Sequence, residues 1–541
     1  MKARVAPCKP RAHRRSRLEC QDGALRHGIA VTSRNPWRCY GPRRYPLSEE
    51  KTVTRLGVGA RPASGVAQAV RRVSRALGAS SLLLVPLFAH GAGTDDVPRK
   101  AAAAALEKDE RAARPVPHDV REMLREMREQ NIENTIRTLV SFGTRNTLSV
   151  QDDPTRGIGA ARDWLKARFD AIAAKSGGRM TVELQSYVQP PASRIPVPTV
   201  ITNVVATLKG SQRESEGRVY VVSGHYDSMC TDPVDATCDA PGANDDASGV
   251  AAVLELARVM ATRDFDATIV FMAVAGEEQG LYGSTYHATQ AKAAGRNIAA
   301  MFTNDIIGSS RADDGSRDPF TVRVFAEGVP TAETPAEANT RRSVGGENDS
   351  PSRQLARYVK DVAENSATGM RVNIIYRRDR YRRGGDHIPF LQQGYAALRF
   401  TEPHENYAHQ HQNVRTENGT VFGDLPEFVD FAYTTRVARV NGAALAALAR
   451  APAVPSNTRI ITTRLTNDTE LAWDANPEPD VVGYEIVYRE TDEALWTHTL
   501  RVGNVTTFTV PGLSKDNYFF GVRAVDRDGY RSPVAFPRPA Q

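Results

Sequence analysis

The 541-residue chain lacks an apolar run long enough to cross a bilayer, which takes about 20 residues. Its best candidate, Ala76 to Ala89 (ALGASSLLLVPLFA), is too short and carries Pro86. That argues against a stable membrane span and for a secretory signal. Arg71, Arg72 and Arg75 precede the stretch, and Ala89-His90-Gly91 offers a cleavage site. Cysteine is also scarce. Of five, Cys8, Cys20 and Cys39 fall upstream of the signal, leaving Cys230 and Cys238. No histidines stand around these two at zinc-finger spacing, so the pair is expected to form a disulfide in an exported protein. A basic surface is missing as well. Residues 1–91 hold 18 Lys+Arg against 4 Asp+Glu, and their +14 turns the overall +7 into −7 for residues 92–541. Nucleic acid loses its electrostatic case as a partner.

What is present divides the sequence into five stretches. Residues 1–66, Arg-rich and without hydrophobic periodicity, are expected to be a non-native or disordered extension from a start codon placed too early. Residues 67–91 are expected to be the signal peptide, and 92–115, rich in Ala and charge, a linker. In residues 116–452 the strand-like TVELQSYV, ITNVVATL, VYVVSG, TIVFMAVA, IAAMFTND, VNIIYR and AALRFTE are interspersed with helical patterns. Those patterns lie at Ala160 to Ala174, in SGVAAVLELARVMA, after Gly283, around Arg353 to Asn365, at His387 to Gln393 and from about Pro426 to Leu448. Near-continuous apolar strands of this kind predict an α/β domain, with a mostly parallel central sheet covered by helices on both faces. From 455 to 541 the pattern changes to short strands, TELAWD, GYEIVYRE, TTFTVPGL and YFFGVRAVD. They predict an all-β sandwich with Trp473, Tyr484, Leu513, Tyr518 and Val522 at core positions. This segment resembles a fibronectin type III domain, which implies a spacer or adhesion module without chemistry.

Polar residues gather where the apolar runs stop. His225-Tyr226-Asp227 follows VYVVSG, Glu277-Glu278 follows TIVFMAVA, and Asp305 ends IAAMFTND. Asp245-Asp246 sits in GANDDASG before a helix, and ENYAHQHQN follows AALRFTE. Ligands of open α/β sheets bind beyond the carboxyl ends of the strands, so these segments share one edge. Their oxygen and nitrogen donors suit two metal ions, with one carboxylate to spare as a base: the composition of a metal-dependent hydrolase. Asp227, two residues beyond His225, faces the same way and is placed to orient its imidazole. Gly242 and Gly249 permit tight turns that present Asp245. Neighbours Glu277 and Glu278 point apart, one toward a metal and one toward the reacting water.

The motifs GHYDS, PGANDDASGV, GEEQGLYGS and NDIIG occur in that order. Over roughly residues 120–450 they resemble the secreted di-zinc aminopeptidases of the bacterial leucyl and aminopeptidase Y type, relatives of glutamate carboxypeptidase. The resemblance implies a zinc-exopeptidase fold, two Zn(2+) ions, peptide or protein substrates cleaved at the N-terminal bond, and a secreted or periplasmic location. It implies that Asp245 bridges both ions, that His225 and Asp305 complete one, and that Glu278 and His409 complete the other. Glu277 becomes general base and then acid, and the Asp245–Asp246 peptide is cis. Two departures stand out. Asn413 occupies the place, four beyond His409, where the family usually has aspartate, with His404 and His411 as rival imidazoles. Gly385 replaces a serine before Asp386-His387, so Asp386 is expected beside the site and not among the ligands. Arg380, Arg382 and Arg383 are candidates to receive a free carboxylate, which keeps a carboxypeptidase reading open. A glutaminyl cyclase, working with one zinc, fits the five-ligand set less well, and a non-catalytic surface-binding protein less still. Side-chain preference is expected to reside in loops between about Asp313 and Asn348.

Overall fold

The computed structural model describes residues 116–540; the expected extension, signal and linker lie outside them. The apolar runs become the inner strands of an eight-stranded sheet. Its strands are β1 (Met180–Gln189), β2 (Thr199–Leu208), β3 (Arg218–His225), β4 (Thr268–Val274), β5 (Asn297–Asn304), β6 (Thr321–Phe325), β7 (Arg371–Ile375) and β8 (Ala397–Thr401), ordered β1-β2-β4-β3-β5-β8-β6-β7. The central β4, β3, β5 and β8 are parallel, as are β6 and β7; the remaining neighbours pair antiparallel. Every residue of β4 is buried. A strand covered on both faces has no wet side and so shows no polar alternation.

The helices are α1 (His118–Arg125), α2 (Glu129–Ser141), α3 (Gly157–Ala173), α4 (Ala247–Met260), α5 (Glu277–Gly280), α6 (Tyr282–Ala293), α7 (Pro335–Ser343), α8 (Pro351–Ala363), α9 (His387–Gln392) and α10 (Phe431–Arg450). Successive strand residues serve opposite faces. Val222, Phe271 and Phe302 pack in one core with side chains of α1 to α4, α8 and α10, while Val221, Val270 and Met301 pack with α6 and α9. The sheet therefore has helices on both sides, as the strand pattern predicts. Chain order explains where a site can form. After β3 the chain crosses through α4 to β4 on one side, then returns through α6 to β5 on the other. That reversal opens a crevice at the carboxyl end of β3. Some elements differ from the sequence reading. TVRVF forms β6 and PAEANTRRS forms α7 inside the stretch expected to be loop, and a 3-10 turn at Pro426–Phe428 precedes α10.

A hairpin of β9 (Arg415–Glu417) and β10 (Thr420–Phe422) follows β8. Beyond α10 come β11 (Arg459–Ile460), β12 (Thr469–Ala472), β13 (Val481–Glu490), β14 (His498–Gly503), β15 (Thr507–Val510), β16 (Tyr518–Asp526) and β17 (Arg538–Pro539). They form sheets β15-β12-β11-β17 and β14-β13-β16 around one core of Leu471, Trp473, Tyr484, Ile486, Phe520 and Val522; Leu513 and Tyr518 are partly buried at its margin. Charge fastens this sandwich to the α/β body. The buried Asp349, just before α8, lies 2.9 Å from Arg357 Nη1 on α8 and 2.7 Å from Arg489 Nη2 on β13. At the foot of β3, Arg218 pairs with Glu478 at 2.7 Å. No helix among the described residues is long and apolar enough to cross a membrane.

Candidate metal centre

The crevice at β3 gathers five segments. His225 ends the strand, its backbone N–H donating to Asp246 Oδ2 at 3.0 Å. Its Nδ1 lies 3.1 Å from the carbonyl oxygen of Asp227, an acceptor that only a protonated Nδ1 satisfies, and this turns Nε2 toward the crevice. Asp227 itself accepts from the backbone N–H of Glu278 at 3.1 Å and from the Thr147 hydroxyl at 3.2 Å, tying two strand ends together. The Asp245–Asp246 peptide is cis. Asp246 caps α4 by accepting from Gly249 N at 2.9 Å, which leaves Asp245 to face the crevice. Gly242 does make the expected tight turn, at φ +53°. Gly249 serves another purpose: it lies in the first turn of α4, where a Cβ would fall 2.2 Å from the carbonyl oxygen of Asn304.

After β4, Gly276 takes a left-handed conformation (φ 75°) and starts α5, which opens with the half-buried Glu277 and the buried Glu278. Asp305 follows β5 directly and is buried. Three residues other than glycine, Leu281, Ile306 and His411, adopt positive φ of 61°, 61° and 52° in these same segments. Left-handed backbone of this kind persists only where the surroundings over-determine it, and such positions cluster at functional sites.

The donors converge in two groups that share one residue. His225, Asp245 and Asp305 form the first, and Asp245, Glu278 and His411 the second, with the ligand atoms of each group within 4.8 Å of one another. His225 Nε2 is 3.1 Å from Asp245 Oδ1; His411 Nε2 is 2.9 Å from Asp245 Oδ2 and 3.2 Å from Glu278 Oε1. Yet neither nitrogen has a hydrogen-bond partner, and Glu278 Oε1 has none either. Buried polar atoms aimed at one another without hydrogen bonds are satisfied by cations, and the mixture of imidazole and carboxylate suits zinc. Electrostatics point the same way. Burial would lower the His411 pKa, but the charges of Glu278 and Asp245 raise it to about 11. Burial drives the Glu277 carboxyl well above its usual range; Asp305, Glu278 and Asp386 add to this, while His225 opposes it. The cluster calls for positive charge.

The structure thus brings His225, Asp245, Glu278 and Asp305 together, with Asp227 and Glu277 beside them. His409 is not in either group. Its ring stacks on Phe428, centroids 3.5 Å apart and planes 5° off parallel, while His411 is the imidazole beside Asp245 and Glu278. His404 is exposed. Cys230 and Cys238 form the expected disulfide.

Three supporting residues carry no sequence signal at all. Arg399, fully buried on β8, donates to Asp305 Oδ2 and, at 2.8 Å, to the carbonyl of Gly384. Arg145 donates to the carbonyls of Tyr226, Pro241 and Gly242 at 2.7, 2.6 and 2.9 Å, drawing together the two ends of the loop between β3 and α4. Asp424 accepts from the backbone N–H groups of Asn244 and Asp245 at 2.8 and 2.7 Å, its carboxyl pushed up to about 7 by burial. Each is a lone residue whose role depends on partners far away in sequence.

The chain is similar to known proteins in sequence and in fold. The sequence model of peptidase family M28 matches residues 203–420. A protein of Pyrenophora tritici-repentis named "Probable zinc metalloprotease" is 56% identical over 427 residues, covering 79% of this chain and 88% of its own length. A similarly named protein of Leptosphaeria maculans is also 56% identical over 427 residues, covering 79% and 98%. Among solved structures, the LapA aminopeptidase of Legionella pneumophila aligns with 61% of this chain and 76% of its own, at 20% identity and TM-score 0.42.

Proposed function

Because this chain belongs to peptidase family M28, and is by that membership a zinc metalloprotease, we propose that it is an exported aminopeptidase that removes N-terminal residues from peptides with two zinc ions. The observation that carries this reading is Asp245, common to both donor groups, with Glu277 free beside them. His225 and Asp305 would hold one ion with Asp245; Glu278 and His411, in place of His409, would hold the other. When bound, the ions supply the positive charge that polarises a scissile carbonyl and acidifies water. Glu277 takes the proton of the attacking water and returns it to the departing amine. Asp227 holds His225 and Glu278 in register through its carbonyl and carboxylate. The Cys230–Cys238 disulfide is compatible with a secreted or periplasmic location.

The carboxypeptidase reading turns on whether positive charge is left over for a substrate carboxylate. Arg380 and Arg383 both lie on Glu405 Oε2, at 3.1 and 2.5 Å, and Arg323 approaches Oε1 at 3.1 Å. Arg380 has a second anion in Asp379 at 3.0 Å, but Arg323 and Arg383 share the one charge of Glu405, and Arg382 is exposed.

Two measurements test the proposal. The full chain should hydrolyse a free-amino leucyl anilide and spare its N-acetylated twin, with activity lost to a zinc chelator; cleavage of a blocked peptide from its carboxyl end would favour the rival reading. His411→Ala should bind one zinc fewer per chain by elemental analysis while His409→Ala keeps the full complement. The opposite result would return the ligand role to His409.

A further inference from the structure

The two donor groups differ in how they are held. His225, Asp245, Asp305 and Glu278 sit at strand ends or at a helix start, with side chains 1 to 6% exposed. His411 lies on the long loop between β8 and β9 and its side chain is 32% exposed. Its left-handed backbone has no glycine to favour it. Something outside the loop must fix it.

Gln410, next to His411, donates to Asp245 Oδ2 at 3.1 Å, and the disulfide loop holds the segment from the other side. Beside Cys230, the backbone N–H of Thr231 donates to Asn413 Oδ1 at 3.1 Å, and the N–H of Asn413 donates back to Thr231 Oγ1 at 3.1 Å. Asn413 is two residues beyond His411. On the other flank the carbonyl of Pro233 accepts from Gln279 Nε2 at 3.1 Å, next to Glu278, and from Asn146 Nδ2 at 3.0 Å. One short segment, closed by Cys230–Cys238, therefore reaches chain neighbours of both residues that are particular to the second donor group. No contact of this loop with Asp305 or its partner Arg399 is among those described.

We propose that the loop closed by Cys230 and Cys238 is a positioning frame for one metal ion only, the one held by Glu278 and His411, with Asn413 as its contact residue. The inference rests on the two-ion reading. Neither Asn413 nor the cysteines donate to an ion; they act by fixing the loop that presents His411. Partners that hydrogen-bond a metal ligand directly change affinity about 10- to 100-fold, which sets the scale for Asn413 acting through the loop.

The test is zinc per chain along a chelator titration of the full protein. For Asn413→Ala, one ion should leave at about 10- to 100-fold less chelator than in the wild type, the other at an unchanged concentration. Asn413→Asp keeps an acceptor for Thr231 N and should restore the wild-type curve. The Cys230→Ser/Cys238→Ser double variant should resemble Asn413→Ala, which covers the case where one of the two misfolds. Equal weakening of both ions would make the loop a general stabiliser and overturn the proposal, as would unaltered curves for Asn413→Ala. A wild-type chain holding a single ion would instead remove the two-ion reading beneath it.

Discussion

Glu277→Gln is expected to lower turnover by about 10²–10⁴-fold while zinc per chain stays at the wild-type level. The expectation follows from where the side chain stands. Glu277 opens α5 immediately before the ligand candidate Glu278, but it belongs to neither donor group. Its carboxyl lies among Asp305, Glu278 and Asp386, with burial the largest force raising its proton affinity. Outside both donor groups yet beside them, it is placed to exchange a proton with water at the site. Glutamine keeps the size and polarity and removes only the capacity to accept a proton. The assay is kcat on the leucyl anilide beside elemental zinc analysis. Turnover within a few-fold of wild type would take Glu277 out of the mechanism; loss of zinc would mean that it is a ligand.

The second large effect concerns stability. Asp349→Ala is expected to destabilise the protein by about 3–5 kcal/mol, the usual cost of removing one partner from a buried ion pair. Asp349 is the anion between two buried guanidiniums, Arg357 on α8 and Arg489 on β13, whose side chains are 2% and 1% exposed. Gln354 extends the lock, donating to Asp349 at 2.9 Å and accepting from Trp496 Nε1 at 2.9 Å. Without Asp349 the two cations would face each other in a water-poor interface. Urea unfolding, followed by tryptophan fluorescence, measures the change. A shift below about 0.5 kcal/mol would show that water enters the joint readily and that the sandwich is loosely attached. The stronger result contradicts the picture of a passive module: the sandwich would then share the stability of the body it is bolted to.

Why some of this was legible in the sequence and some was not has a physical basis. Strands such as TIVFMAVA announce themselves because burial on both faces leaves no place for polar residues. The ligand candidates at 225, 245, 278 and 305 and the base candidate at 277 could be placed because each follows such a run or stands at a helix start. β6 escaped notice because it has only five residues and Arg323 interrupts its apolar pattern. The guanidinium there is used to reach the carbonyl of Glu402 and the carboxylate of Glu405. The choice between His409 and His411 was beyond reach of spacing. It depends on a left-handed backbone at His411 and an aromatic stack at His409, both imposed by tertiary neighbours. Arg145, Arg399 and Asp424 were invisible for the same reason, since their partners lie on other segments.

The spread of the donors along the chain has a thermodynamic consequence. Residues 225, 245, 278, 305 and 411 meet only when the central strands are in register, so an unfolded chain has no site to offer. A cation bound there adds RT ln(1 + [L]/Kd) to the free energy of folding, about 2.7 kcal/mol when its free concentration is a hundred times Kd. Metal supply and fold stability are then one equilibrium. A chain crossing a membrane unfolded would carry no ions and no activity, and would acquire both where it folds.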